Sequence, residues 1–128
     1  MGKKNKKRKL RGTSGSDELT GLISNQRIYG HAGDDIITTV EGKFKAWGGE
    51  CRDTFVTLNG GDGYLQVMDF EVGDKIQFCG FASTRIEQKG RNAWIVKSND
   101  VKAVLSGVDA DELHLDFTQG LIAFAADS

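Results

Sequence analysis

A chain of 128 residues with 38% hydrophobic content, 17 glycines and no proline suits one domain built on tight turns rather than long helices. No apolar run approaches the roughly 18 residues that a membrane-spanning helix needs, which excludes such a helix. The formal net charge of −1 hides an asymmetry: Lys3, Lys4, Lys6, Lys7, Arg8, Lys9 and Arg11 occupy the first 11 positions, and all 18 acidic residues follow them. A basic arm is attached to an acidic body.

The arm, MGKKNKKRKLR, has no apolar segment and no small-residue cleavage site, so it does not read as a signal peptide of the general secretory route. It reads as a disordered tail over residues 1–11, or as a holder of nucleic acid, anionic lipid or acidic polysaccharide through charge proximity and counterion release. No aromatic residue interleaves it, so specific nucleic-acid binding is not expected.

From Gly12 to Leu65 the chain divides into six consecutive nine-residue blocks without insertion or deletion: GTSGSDELT, GLISNQRIY, GHAGDDIIT, TVEGKFKAW, GGECRDTFV and TLNGGDGYL. Position 8 is apolar throughout (Leu19, Ile28, Ile37, Ala46, Phe55, Tyr64), and glycine recurs at positions 1 and 4. A fixed period of this kind marks a solenoid, in which each coil covers the apolar face of the one before it. The two cysteines, Cys51 and Cys79, are too few for a disulfide framework; they read as small core residues or as a single bridge.

Position 6 holds Asp17, Asp35 and Asp53 in blocks one, three and five, Gln26 and Phe44 in blocks two and four, and Asp62 in block six. If two blocks make one coil, the aspartates stack on one edge. Stacked carboxylates repel and raise each other's pKa unless a cation lies between them. A hard divalent ion held by Asp oxygens and by the backbone carbonyls of glycine-rich turns removes that conflict, and oxygen-only ligation selects Ca²⁺ over zinc or copper. The sixth block is ambiguous, because a reading three residues later, GGDGYLQVM, puts Leu65 at position 6 and Val67 at position 8.

These blocks resemble the G-G-x-G-x-D-x-U-x nonapeptide of the haemolysin-type, or RTX, calcium-binding proteins, with Thr13, His31 and Cys51 standing where that pattern has glycine. The resemblance implies an all-β chain: a right-handed parallel β-roll of about three coils over residues 12–68, capped over residues 69–128. It implies that Asp17, Asp35 and Asp53 ligate about two Ca²⁺ ions, with backbone carbonyls near Gly12, Gly15, Gly30, Gly33, Gly48 and Gly49 completing the shells. Asp62 is a further candidate, and the edge of Gln26 and Phe44 is expected to bind weakly or not at all.

The resemblance extends over Asp53 to Phe81, which is similar to the segment after the last repeats in secreted RTX metalloproteases and alginate epimerases. On that likeness Asp69 and Asp74 are candidate ligands of an additional ion; as residues they also read as turn-forming and strand-ending aspartates. The family leaves cells by a one-step route that reads an uncleaved C-terminal signal, which implies a secreted protein without a cleaved leader. The final residues, Leu121 to Ser128, read as such a signal or as a last edge strand. The epimerase likeness also motivates an alternative role, binding an acidic polysaccharide or a cell surface.

After Phe81 the period becomes two, with strands expected at Arg85–Gln88, Ala93–Lys97 and Val101–Leu105 and a turn over Gly107–Leu113. This antiparallel meander is expected to seal the last coil. Trp47 and Trp94 read as packing residues. Catalytic motifs such as H-E-x-x-H, G-x-S-x-G and the phosphate loop are absent from the sequence. Adjacent Asp34 and Asp35 point to opposite faces of an extended chain, and the protein is not expected to be an enzyme.

Overall fold

A computed structural model describes residues 9–21, 25–39, 42–57, 63–78, 84–97, 100–116 and 121–124. The basic residues before Lys9, and also Asp62, Cys79 and the last four residues, lie outside that set. The described chain forms two sheets. The first contains, in spatial order, β1 (Lys9–Arg11), β3 (Arg27–Tyr29), β5 (Phe44–Trp47), β7 (Leu65–Val67), β11 (Asp100–Leu105), β10 (Asn92–Lys97) and β9 (Thr84–Lys89). The second runs β2 (Glu18–Gly21), β4 (Ile36–Thr39), β6 (Thr54–Thr57), β8 (Lys75–Phe78), β13 (Leu121–Phe124) and β12 (Leu113–Asp116).

From β1 to β8 successive strands alternate between the sheets, and within each sheet these strands pair in parallel. This is the expected all-β architecture, a parallel β-solenoid of about three turns. Lys9 pairs with Arg27 and Arg27 with Lys45, while Glu18 pairs with Ile36 and Ile36 with Thr54. Each step is 18 residues, two blocks to a coil. Position 8 then points inward: Ile28, Ile37, Ala46 and Phe55 are fully buried in one core between the sheets. Leu19 is only partly buried, because its strand is the edge of the second sheet and no earlier coil covers it.

The next step is longer. Phe44 pairs with Leu65 and Thr54 with Lys75, offsets of 21 residues in both sheets. The chain therefore takes the later register, GGDGYLQVM, in which Leu65 and Val67 are buried and Tyr64 is half-exposed. The burial of two aliphatic residues decides between the registers, since a one-residue slip would turn them outward. A seventh block follows, DFEVGDKIQ, with Asp74 at position 6 and fully buried Ile76 at position 8.

The parallel strands consequently extend beyond residues 12–68 at both ends. Residues 9–11, read above as part of a disordered arm, form β1, because Leu10 packs on the core while its backbone pairs with β3. β8 belongs to the roll rather than the cap, pairing in parallel with β6. The cap is an antiparallel meander, β9–β10–β11, whose last strand joins β7 in parallel. On the second sheet β13 lies between β8 and β12 and so is an interior strand, not an edge. Phe70 ties roll to cap: it stacks on Phe124, with ring centroids 5.5 Å apart, and lies 6.2 Å from Phe55. Asp109 caps a one-turn 3₁₀ helix, Ala110–Glu112, by accepting the Asp111 N–H within the expected turn.

Among the described residues no helix is long and apolar enough to cross a membrane. Cys51 is exposed and carries a free thiol, so it is not a core residue; a turn position leaves its side chain outside the coil. Trp47 packs on Tyr29 at 4.8 Å, as a packing residue should. Truncating the central Phe55 to Ala, where the ring is fully buried, should cost about 3–5 kcal/mol in urea unfolding. Replacing outward Ile36 by Thr should change stability by less than about 0.5 kcal/mol.

Candidate metal centre

The aspartates at position 6 stack along one edge as a hydrogen-bonded ladder. The Asp17 backbone N–H donates to Asp35 Oδ1 at 2.8 Å, that of Asp35 to Asp53 Oδ1 at 3.0 Å, and that of Asp53 to Asp74 Oδ1 at 2.9 Å. Each carboxylate thus reaches back to the turn of the preceding coil. The backbone runs the other way: Ile36, Thr54 and Lys75 donate to the carbonyls of Asp17, Asp35 and Asp53. Asp74 enters this ladder through the seventh block, which the six-block reading did not reach.

The second carboxylate oxygens differ along the ladder. Asp17 Oδ2 accepts the Thr13 N–H at 2.6 Å and lies 3.1 Å from the Thr13 hydroxyl. Asp74 Oδ2 accepts the Glu71 N–H at 2.9 Å. Asp35 Oδ2 and Asp53 Oδ2 are buried and have no hydrogen-bond partner. An orphaned buried carboxylate oxygen is costly, and here the cost falls on the two middle rungs.

Position 1 explains why these oxygens have space. A Cβ on Gly30 would lie 2.6 Å from Asp35 Oδ2 and 2.7 Å from the Gly48 carbonyl oxygen; one on Gly12 would lie 2.7 Å from Asp17 Oδ2 and 2.9 Å from the Gly30 carbonyl oxygen. Gly48 stands in the same relation to Asp53 Oδ2. At Gly12 and Gly30 the absent side chain leaves a carboxylate oxygen of its own coil beside a carbonyl oxygen of the next; at Gly48 the neighbours are the Asp53 carboxylate and the Phe55 ring. That set of oxygens, two without hydrogen-bond partners, fits a hard cation. Among the described residues no three His, Cys, Asp or Glu side chains converge, so carbonyls would have to supply much of any shell.

The remaining candidates fall around this edge. Gly33 and Gly49 adopt left-handed φ of 91° and 85°, and a Cβ on Gly49 would overlap the His31 carbonyl of the neighbouring turn. Gly15 is exposed, with no such crowding. His31 and Cys51 hold the same left-handed conformation, at φ 69° and 73°, where the side chain costs roughly 1–2 kcal/mol. The turn shape is therefore kept at these two positions without glycine, whereas Thr13 does not adopt a positive φ. Asp69 accepts the N–H groups of Gly48 and Gly49 at 2.8 and 2.9 Å, one on each oxygen, which is the turn-forming role open to it in the sequence. Asp34 is exposed and accepts the Arg52 N–H, with buried Asp35 on the other face. On the opposite edge Gln26, Phe44 and Leu65 are all buried.

Burial pushes the Asp53 carboxyl up to about 8; the charges of Asp74, Asp35 and Asp69 add to this, and the N–H from Asp35 opposes it. Burial likewise raises Asp74 to about 6 against two N–H donors, and raises Asp35 with help from the Asp17 charge. The neutral acids are thus favoured in the folded chain. Their contribution to stability is complete below the unfolded carboxyl pKa of about 4 and is lost as pH rises through the folded values.

Fold and edge together define a β-solenoid carrying a stacked aspartate ladder. No protein-family model, curated protein or solved structure matches the chain.

In chelator, the midpoint of thermal unfolding should fall as pH rises from about 5 to about 9, the window set by the Asp74 and Asp53 values of about 6 and about 8. A chelated protein more stable at the alkaline end would contradict the assigned burial of these charges.

Proposed function

We propose that this protein is a calcium-binding β-roll module, with the ion bound between successive turns on the aspartate edge and stabilising the fold. The observation that carries the reading is the pair of buried, partnerless oxygens, Asp35 Oδ2 and Asp53 Oδ2, packed against Gly30 and Gly48, where a side chain would collide with them. Ionised, these carboxylates repel one another; a divalent cation reverses the sign of their interaction with the site. Calcium, with its tolerance of irregular oxygen shells, suits the edge better than magnesium, which demands near-octahedral geometry.

The ions would lie between the turns of Asp17 and Asp35 and of Asp35 and Asp53. The Asp69 and Asp74 oxygens already accept N–H groups, which makes an additional ion there a lesser part of the proposal. With the resemblance to RTX repeats, the reading extends to a secreted, non-catalytic module that folds or gains stability where calcium is millimolar. Extracellular calcium modules bind with Kd of roughly 10⁻⁴–10⁻³ M, so about 10 mM calcium would add about 1.4–2.7 kcal/mol per site.

Urea unfolding with calcium, magnesium or chelator tests this. Calcium should raise the unfolding free energy by that amount per site, and the urea midpoint with it, magnesium by less, and Asp53→Asn should lose most of the calcium response. Asn keeps an acceptor for the Asp35 N–H but removes the charge, so its chelated stability should equal or exceed that of the parent. Equal responses to calcium in the parent and the variant would remove the ion from this edge.

A further inference from the structure

Along the roll, the outward side chains of the second sheet form two rows. Glu18, Ile36, Thr54 and Lys75 pair in that order across β2, β4, β6 and β8, and two residues further along each of these strands stand Thr20, Thr38, Val56 and Gln77. Every one of them is exposed or half-exposed, and Ile36 is among the few large apolar residues left in solvent. Between the two end charges the rows hold Ile36, Thr54, Thr20, Thr38 and Val56, all β-branched and uncharged, which stand stiffly from a pleated surface. Glu18 and Lys75 are three strands apart, roughly 14 Å at a strand spacing of about 4.8 Å. They do not neutralise each other within one chain.

Opposite charges at the two ends of one row make the face complementary to itself. A two-fold axis parallel to the strands, between β4 and β6, sets β2 of one protomer over β8 of its partner and β4 over β6. Glu18 then faces Lys75 of the partner subunit and Lys75 faces Glu18 of the partner subunit, while Ile36 meets Thr54 of the partner subunit. We propose that the outward face of the second sheet docks a second copy of this chain in this arrangement, sheet against sheet. Such isologous contacts are the commonest in homo-oligomers, and stacked sheets interdigitate the side chains of their facing surfaces.

The character of the face favours this occupant over others. A lipid surface is held by several cations with aromatic or large apolar anchors, and nucleic acid by clustered cations; these rows hold one lysine and no aromatic ring. The first sheet lacks the same self-complementarity, because its outward row, Lys9, Arg27 and Lys45, is exposed and wholly cationic. The two rows fall short of the roughly 20–30 residues that each partner brings to a standard interface. The dimer is therefore weak, with a Kd of roughly 10⁻⁴–10⁻³ M. The proposal uses neither the aspartate edge nor its ion, and so does not rest on the calcium reading.

The test is sedimentation equilibrium of the full chain with calcium present throughout. The weight-average mass should climb from monomer toward dimer between about 10 μM and about 1 mM protein, and less steeply at high salt. Glu18→Lys or Lys75→Glu alone sets like charges together at both ends of the contact and should weaken association about tenfold or more. The two changes together restore opposed pairs with their signs exchanged, and should return association to within about threefold of the parent. That recovery identifies the partner as a second copy, since the two residues do not meet within one chain. Ile36→Lys, at the centre, should abolish association and gives an independent reading should a charge variant not fold. Arg27→Gln, on the first sheet, should associate as the parent does. A mass that stays monomeric up to about 1 mM, single variants that associate like the parent, or a double variant as weak as the singles would overturn the proposal.

Discussion

The structure depends on one repeated contact, a carboxylate that accepts a backbone N–H from the preceding coil. Three such bonds, from Asp17 to Asp35, Asp35 to Asp53 and Asp53 to Asp74, hold four turns in line. Each satisfies one oxygen and draws the acid under the next turn, out of water. The same geometry that makes a good acceptor of Oδ1 strands Oδ2 at Asp35 and Asp53. Stacking the turns therefore creates the electrostatic problem that a cation, or a proton, resolves. Glycine at position 1 is part of that arrangement, because a methyl group there would occupy the space beside the free oxygen.

The solenoid also has to end. At the far end each sheet acquires antiparallel strands, β10 and β9 beyond β11 and β13 and β12 beyond β8, which cover the core as further coils would have done. Phe70 and Phe124 meet across that junction. At the other end β1 and β2 are the edge strands of their sheets, and Leu10 and Leu19 are only partly buried. An electrostatic division runs across the roll, with acids enclosed on one edge and exposed cations stacked on the first sheet. The enclosed charge is strongly shifted in pKa, whereas the exposed row is screened by salt.

Much of this was legible in the residues. The nine-residue period placed Ile28, Ile37, Ala46 and Phe55 in the core and Asp17, Asp35 and Asp53 on a single edge, because position within a coil determines which way a side chain points. The strands of the meander followed from alternation at Arg85, Trp94 and Val101. The length of the third coil was not legible from period alone: Tyr64 satisfies the apolar position in one register and Val67 in the other, and only the burial of Leu65 and Val67 together separates them. β1 was hidden inside a run of cations, since the one apolar residue that anchors it, Leu10, is no signal without its partner strand. The parallel docking of β11 on β7 joins Ala103 to Leu65, a pairing across three intervening strands that no local pattern encodes. Asp69 as acceptor for two N–H groups could have been found only by extending the blocks past the three-residue insertion.

The measurement that bears most directly on this account is calorimetric titration of calcium into the chelator-stripped protein at neutral pH, in buffers of different ionisation enthalpy. With Asp53 held at about 8 by burial, a cation that takes its carboxylate must displace a proton. The account predicts binding whose apparent heat varies with the buffer in the sense of proton release, with the release falling away at high pH. Calcium binding with no proton exchange, or no calcium binding to a folded protein, would contradict it.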